Sequence, residues 1–93
     1  MYIVIKKFKT EDVEKSIENA RNSFLLVVSK MAGFVSYNVL KTEEEMIVSV
    51  LKFNSKAEAD ASTETSSQWV KQNGFDALYQ LQEIFSGEVV VEG

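Results

Sequence analysis

The sequence contains no cysteine and no histidine. Without cysteine the chain can form neither disulfide bonds nor thiolate metal sites. Without histidine it lacks the commonest metal ligand and the side chain that most often exchanges protons near neutral pH. No acidic residues have the spacing of a calcium-binding loop. The composition therefore predicts no bound metal.

Long apolar runs and positive charge are also scarce. The longest apolar run, from Phe24 to Val28, is far shorter than the roughly 20 residues of a membrane-spanning helix. The net charge is −4 and the pI is about 4.8, so no basic surface is expected to bind nucleic acid. Met1 leads directly into a strand-like segment rather than a signal peptide. We expect a cytoplasmic protein with neither a membrane span nor a nucleic-acid partner.

The residues that are present predict one α+β domain over residues 1–93, with elements in the order βαββαβ. Strand-like composition or alternation is found at residues 2–8, 34–40, 45–53 and 89–91, the last after a bend at Gly87. In the second strand Val35, Tyr37 and Val39 are expected on one face. Residues 41–44 are expected to form a hairpin turn. This order predicts a ferredoxin-like antiparallel sheet with both helices on one face.

Helix signals separate these strands. An apolar stripe predicts a first helix with Thr10 as its cap and Gly33 at its end; it comprises Val13, Ile17, Ala20, Phe24, Val27 and Met31. A capping box at residues 55–58 predicts a second helix that ends near Asn73 and Gly74, followed by a short helical piece over residues 75–81. The inner face of the second helix is expected to be small, with Ala57, Ala61, Thr65 and Trp69 in one row. That face leaves room for a ligand or allows close packing.

Both faces of the predicted sheet are apolar. In the first strand Ile3 and Ile5 alternate with Tyr2, Val4 and Phe8, and the third and fourth strands show the same pattern. The two helices can cover one face only, and an exposed apolar face of this size is unusual in a monomer. Two sheets packed face to face would cover it in both copies, so a homodimer is expected. The alternative is that the extra apolar residues are scattered surface contacts.

Several strings resemble the antibiotic biosynthesis monooxygenase (ABM) family of the dimeric α/β-barrel superfamily. They are Met-Tyr-Ile-Val-Ile at 1–5, Gly-Phe-Val-Ser-Tyr at 33–37, Val-Ser-Val at 48–50, Phe-Asn-Ser-Lys-Ala-Glu at 53–58, Trp-Val at 69–70 and Gly-Glu-Val-Val-Val at 87–91. The resemblance spans essentially the whole chain. It implies a dimeric α/β barrel with a ligand cavity in each subunit. Characterised relatives include cofactor-free monooxygenases that oxidise phenolic intermediates to quinones, and others that degrade haem.

The resemblance does not extend to the haem-degrading relatives. Those proteins use a strand-one asparagine, a helix-two tryptophan and a histidine ten residues later. Here Trp69 matches the tryptophan, but Tyr79 replaces the histidine and Lys6 or Lys7 replaces the asparagine. Tyrosine ligates haem in some proteins, yet the usual axial ligand is missing. We therefore expect no cofactor.

A cofactor-free oxygenase needs fixed donors that stabilise a developing oxyanion after a substrate phenol loses its proton. The candidate catalytic residues are Trp69, Tyr79, Tyr37 and Asn38, and the candidate ligand-binding residues are Thr65, Asn73 and Phe24. Tyr37 and Asn38 point to opposite faces, so at most one can reach a given cavity. Each aromatic candidate also has an ordinary interpretation as a core residue.

The function predicted on this basis is a cofactor-independent monooxygenase that acts on a small aromatic, phenolic or quinone-like molecule. Two alternatives remain on the same scaffold. One is a non-catalytic protein that binds a small ligand or has a role in stress. The other is a structural dimer whose interior is filled with side chains. A cavity between the second helix and the sheet, lined by Trp69 and a hydroxyl or amide, would favour a ligand-using protein.

Overall fold

A computed structural model describes residues 1–93 as four strands and two long helices. Strand β1 covers Tyr2–Thr10, β2 Phe34–Glu43, β3 Met46–Phe53 and β4 Tyr79–Glu88. Helix α1 occupies residues 13–28 in three segments: α-helical Val13–Asn19, π-helical Ala20–Phe24 and α-helical Leu25–Val28. Helix α2 covers Lys56–Gln72, and a 3-10 turn follows at Phe75–Ala77.

The strands form one antiparallel sheet in the order β2-β3-β1-β4. Both crossover connections contain a helix, and the central strands are β1 and β3. This is the ferredoxin-like arrangement, so the predicted fold class is confirmed. None of the helices combines the length and apolar composition of a membrane span.

The start of α1 differs from the prediction, because its cap is Asp12 and not Thr10. The Asp12 carboxylate accepts a hydrogen bond from the Lys15 backbone N–H at 3.0 Å. Thr10 instead ends β1 and is buried, with its hydroxyl 2.7 Å from that of Ser16. The Thr10 hydroxyl could cap a helix, but β1 extends two residues beyond its predicted end and includes Thr10. The helix therefore begins later, with Asp12 as its cap.

Helix α2 agrees with the sequence signals, whereas α1 ends at Val28, before the predicted Met31 and Gly33, and the predicted helical piece over residues 75–81 is only the 3-10 turn Phe75–Ala77. Ser55 Oγ accepts the Glu58 backbone N–H at 3.3 Å, which is the serine half of the predicted capping box. The Glu58 carboxylate accepts from the Ser55 hydroxyl at 2.9 Å rather than from the Ser55 backbone N–H. Gly33 and Gly74 have positive φ angles of 75° and 71°, the left-handed conformation that favours glycine. Helix α2 therefore ends where the sequence predicts, at Gln72 and Asn73.

The π-helical segment keeps one row of α1 directed towards the sheet. In a regular α-helix, residues four positions apart rotate by about 40° relative to each other, so a row with that spacing drifts off a flat surface. The wider π turn cancels part of this drift. As a result Ser16, Ala20, Phe24 and Val28 all face inward, whereas the predicted stripe residues Ile17 and Val27 are only half-buried.

Two irregularities in the sheet change predicted strand positions. A bulge between Phe34 and Ser36 removes Val35 from the face that Tyr37 and Val39 share, so Val35 is exposed. The hairpin turn is also shorter than predicted, because β2 continues to Glu43.

The last strand was predicted in the wrong place. Strand β4 is Tyr79–Glu88, whereas residues 89–91 lie beyond it, with Val90 and Val91 exposed. A bulge opposite the Lys7–Phe8 step leaves Gln82 unpaired and interrupts the alternation. The strand therefore lacks the simple two-residue period, and the three valines give the stronger local signal.

The inner face of α2 was also predicted incorrectly. Ala57, Ala61 and Thr65 are exposed, and the buried row is Ala59, Ser62 and Ser66. The two rows contain equally small residues, so side-chain size could not distinguish them. The face is small and partly polar, as expected, but it is the neighbouring row.

The solid core lies at one end of the helix-covered face. It consists of five buried residues, Val4, Val28, Leu51, Phe53 and Ala59, with Tyr2, Phe34 and Met31 packed against them. Helix α2 approaches the sheet closely at this end because Ala59 is small. The opposite end of the same face is not filled.

The face of the sheet without helices is apolar as well. Ile3, Ile5, Val48 and Val50 lie on it and are only half-buried in the single chain. Leu40 and Phe85 on the outer strands are 50% and 54% exposed. The prediction that both faces are apolar is thus confirmed for the two central strands.

The cap of α1 gives a stability prediction. We expect Asp12→Ala to lower the free energy of unfolding by about 1 kcal/mol, because the Lys15 N–H loses its acceptor at an exposed helix end. The matched control is Glu11→Ala, which removes a neighbouring exposed carboxylate that makes no hydrogen bond and should change stability by less than about 0.5 kcal/mol. Urea denaturation measures both. Equal effects of the two variants would contradict the assignment of Asp12 as the cap.

Candidate functional site

A cavity of about 300 Å³ lies between α2 and the unfilled end of the sheet. Its walls are predominantly apolar and come from all four strands and both helices. This size and composition are typical of small-molecule sites. On the β4 side Leu81 and Ile84 line the cavity and are themselves exposed. The space beside helix α2 is therefore a pocket rather than a filled core.

Six aromatic rings form a continuous chain, which we call the aromatic arc, and five of them line this pocket; Phe75 joins Trp69 to Tyr79 from behind the lining. Successive ring centroids are 5.2–6.2 Å apart in the order Tyr37, Phe24, Trp69, Phe75, Tyr79 and Phe8. The interplanar angles of 51–71° are tilted or edge-on, which are favourable geometries for aromatic pairs. The π-helical segment ends at Phe24 and directs this ring into the arc. Flat aromatic molecules match such a surface.

Three polar groups of the arc are hydrogen-bond donors. The Tyr79 hydroxyl donates to the Ser16 backbone carbonyl at 3.4 Å and so links β4 to α1. The Tyr37 hydroxyl and the Trp69 indole N–H have no hydrogen-bond partner within the chain. These two donors are available to a bound molecule. Ser66 adds a hydroxyl on the α2 side, and its Oγ is buried without a partner.

Both tyrosines remain protonated at neutral pH. Burial, together with the neighbouring Tyr79, raises the pKa of Tyr37 far above its usual range. Burial likewise raises the pKa of Tyr79. Each phenol therefore donates hydrogen bonds and does not act as a base.

The most unusual group of the pocket is Lys6, in the middle of β1. Its side chain lines the pocket, and the residue is only 7% exposed. It takes part in none of the three ion pairs of the chain. Burial lowers the pKa of Lys6 to about 8. A cation without a partner in an apolar pocket is destabilising and is typical of functional sites.

The structure brings four of the seven candidate residues to the pocket: Trp69, Tyr79, Tyr37 and Phe24. The other three lie outside it. Asn38 is exposed and pairs with Val50 on the helix-free face. Thr65 is exposed and lines a separate groove together with Met31 and Ala61. Asn73 caps the end of α2 by donating to the Trp69 carbonyl at 2.9 Å. These three placements do not support the ligand contacts that were predicted.

Lys6 and Ser66 were not among the predicted site residues. The alternation of β1 contained a signal for Lys6, since it lies between Val4 and Phe8 on the face that the helices cover. In the sequence alone, Lys6 is distinguished only as one of two lysines at the position of a haem-site asparagine. Ser66 was missed because the wrong row of α2 was taken as the inner one. No group of three or more acidic, histidine or cysteine side chains could hold a metal ion.

Comparison with known proteins places this geometry in a structural class. SnoaB, a cofactor-independent oxygenase from Streptomyces nogalater, superposes with a TM-score of 0.78 at 11% identity, over 98% of this chain and 94% of that one. A candidate antibiotic biosynthesis monooxygenase from Chloroflexus aurantiacus gives 0.69 at 22% identity, over 99% and 95% of the two chains. The chain has the ABM fold.

A third protein with this fold is described as a dimer. A dimeric ferredoxin-like protein from an uncultured marine organism superposes with a TM-score of 0.75 at 13% identity, over 100% of this chain and 98% of that one. Neither protein-family models nor curated protein sequences yield a match to this chain. All three sequence identities are below 25%, so the superpositions establish the fold of this chain. They confirm, at the level of structure, the resemblance to the ABM family seen in the sequence.

The burial of Lys6 gives a second stability prediction. We expect Lys6→Met to raise the free energy of unfolding at pH 7, by at most roughly 3 kcal/mol, because it removes the cost of burying a cation. Since the folded pKa lies below that of the unfolded chain, wild-type stability should rise between about pH 8 and pH 10.5. The advantage of the variant should shrink over the same range.

The control is Lys7→Met, one residue away on the opposite face of the sheet. Its pH profile should follow that of the wild type. Urea denaturation from pH 6 to pH 10.5 measures all three proteins. A Lys6→Met variant that is less stable than the wild type at pH 7 would show that the ammonium has a stabilising partner in the chain.

Proposed function

We propose that this protein is a cofactor-independent monooxygenase that oxidises a small phenolic aromatic molecule in the pocket between α2 and the sheet. The observation that carries the proposal is a cavity of about 300 Å³ bounded by an aromatic arc whose Tyr37 and Trp69 donors are free. The fold shared with a cofactor-independent oxygenase supports the same reaction class. Phe24, packed between the two donors, would hold the flat face of the substrate.

The proposed reaction uses only the phenol and molecular oxygen. The phenol loses its proton to solvent as it binds, and the electron-rich ring transfers an electron to oxygen. A proton from solvent later returns to the departing oxygen. Recombination forms a bond between ring carbon and oxygen, and the resulting peroxide loses water to give a quinone. One oxygen atom enters the ring and the other leaves as water, so the four electrons that oxygen accepts come from the substrate.

The side chains of the arc would stabilise the negative charge that moves between the ring oxygen and the peroxide. Trp69 and Tyr37 donate hydrogen bonds from fixed positions, and preorganised donors of this kind lower a barrier without reorganisation. Tyr79 is already bound to α1 at 3.4 Å and would position the β4 wall. The apolar lining excludes water from the reactive intermediate.

A pocket of this kind also fits a protein that binds its ligand without reacting. The cavity itself counts against a purely structural dimer, because such a protein would fill the space with side chains. Binding and catalysis differ in one measurable quantity, the consumption of oxygen.

Oxygen uptake with a panel of naphthols and anthrols tests the proposal. We expect the protein to consume one oxygen molecule for each quinone formed, without added metal or flavin. Trp69→Phe keeps the aromatic stack but loses the N–H, so kcat/KM should fall by about 10- to 100-fold. Glu64→Gln, on the exposed side of the same helix, should leave it unchanged. A protein that binds these compounds but consumes no oxygen would replace the monooxygenase proposal with the binding one.

We also propose that the protein is a homodimer joined through the helix-free face of the sheet. The half-buried side chains of Ile3, Ile5, Val48 and Val50 would become fully covered in such a dimer. A dimeric protein with the same fold supports this arrangement.

Light scattering after size-exclusion chromatography tests the dimer. Val50 lies at the centre of the apolar face, opposite Ile5. We expect Val50→Glu to give a monomer, because a carboxylate would be buried without a partner at the interface. The control is Ala61→Glu on the exposed side of α2, which should remain a dimer. A wild-type monomer at micromolar concentration would contradict the proposal.

A further inference from the structure

Lys6 is the only charged residue that the fold buries. The other buried polar residues are one threonine and four serines; Thr10, Ser16 and Ser62 form local hydrogen bonds, whereas Ser66 Oγ has no partner within the chain. Lys6 is 7% exposed and lines the pocket, and no carboxylate is paired with it. The function proposed above does not use this side chain.

The neighbours of Lys6 in the sheet carry no negative charge. Val4 and Phe8 flank it along β1, and Ser49 and Ile84 are its partners on the adjacent strands. Asp76 is the only acidic residue that lines the pocket, and it makes no ion pair. No carboxylate of the chain is within ion-pair distance of the Lys6 ammonium, so this cation is available to an anionic ligand.

We propose that the Lys6 ammonium binds the acidic oxygen of a planar aromatic monoanion, a phenolate or enolate, whose rings stack within the aromatic arc. This inference rests on the proposed ligand pocket but not on its oxygen chemistry. The inference specifies that the ligand is bound in its deprotonated, anionic form. For a phenolic substrate, that is the state from which an electron passes to oxygen.

The rest of the pocket restricts the ligand to a single charge. Lys71 also lines the pocket, but it is exposed on α2 and remains solvated. The remaining lining is mostly apolar, so it offers no further cation for a phosphate or a dicarboxylate. The cavity of about 300 Å³ accommodates two or three fused rings.

Binding of two naphthoquinones tests the inference separately from catalysis, because these compounds are already oxidised. The probes are 2-hydroxy-1,4-naphthoquinone, an anion at neutral pH, and its neutral methyl ether, 2-methoxy-1,4-naphthoquinone. Trp69 is the only tryptophan and lies in the pocket, so quenching of its fluorescence reports binding. Calorimetry provides the independent Kd.

We expect the wild type to bind the anion at least about tenfold more tightly than the ether. Lys6→Met should abolish this preference, because it weakens binding of the anion and leaves the affinity for the ether unchanged. Lys6→Arg, which keeps the charge, should retain part of the preference. Lys7→Met, on the opposite face of the sheet, should bind both probes as the wild type does. Circular dichroism verifies that each variant is folded.

The affinity for the anion should also fall as the pH is raised past about 8, because the ammonium loses its proton there. Other titratable groups facing Lys6 across the pocket are Tyr37 of β2, Tyr79 of β4, Asp76 of the 3-10 turn and Lys71 of α2. Burial raises the pKa of both tyrosines, so neither should ionise over pH 7–9. The ether should show no change in this range.

The outcomes separate this inference from the proposed function. Loss of the anion preference in Lys6→Met supports the inference, whether or not the protein consumes oxygen. Undiminished binding of the anion by Lys6→Met would overturn it, even in an active oxygenase. Failure of both probes to bind the wild type at millimolar concentration would overturn it as well.

Discussion

Helix coverage of the sheet is the constraint on which the other features depend. Two helices must shelter one face of four strands, and α2 comes close only at the end where Ala59 meets Phe53 and Leu51. At the other end the same helix carries Trp69 and stands away from the sheet. The result is a solid core and a pocket on one face, while the second face has no helices at all. Ligand binding and self-association are thus two consequences of incomplete coverage.

Local irregularities direct side chains within this framework. The π turn of α1 aims Phe24 at the pocket, and the bulge at Val35 sets Tyr37 and Val39 on the pocket side. The bulge at Gln82 allows both Leu81 and Ile84 to line the pocket, although they are three positions apart. Regular secondary structure would have placed fewer of these residues together. The site is therefore assembled by departures from periodicity on three different elements.

The same departures from periodicity explain which features of the structure could be predicted from the sequence and which could not. Alternation in β1 and β3, the capping box at Ser55 and the turns at Gly33 and Gly74 are local signals, and they predicted the fold correctly. The position of β4 was predicted incorrectly because the bulge at Gln82 interrupts the alternation of apolar and polar residues along this strand. The buried row of α2 was predicted incorrectly because Ala57 and Ala59 are chemically identical. Only the packing of the helix against the sheet determines which of them is buried. Trp69 and Tyr37 could be predicted from type and phase, but the isolation of Lys6 depends on what surrounds it in three dimensions.

The π turn of α1 makes the winding of this helix a determinant of the pocket. Such a turn is equivalent to one residue inserted into an α-helix. If the same residues were wound as a regular α-helix, with none removed, the turns before Ala20 would be rotated by about 100°, the angle of one residue, relative to Phe24 and Val28. Either Ser16 would leave the end of β1 or Phe24 would leave the arc. The shape of the binding surface consequently depends on how this helix is wound as well as on the identity of its residues.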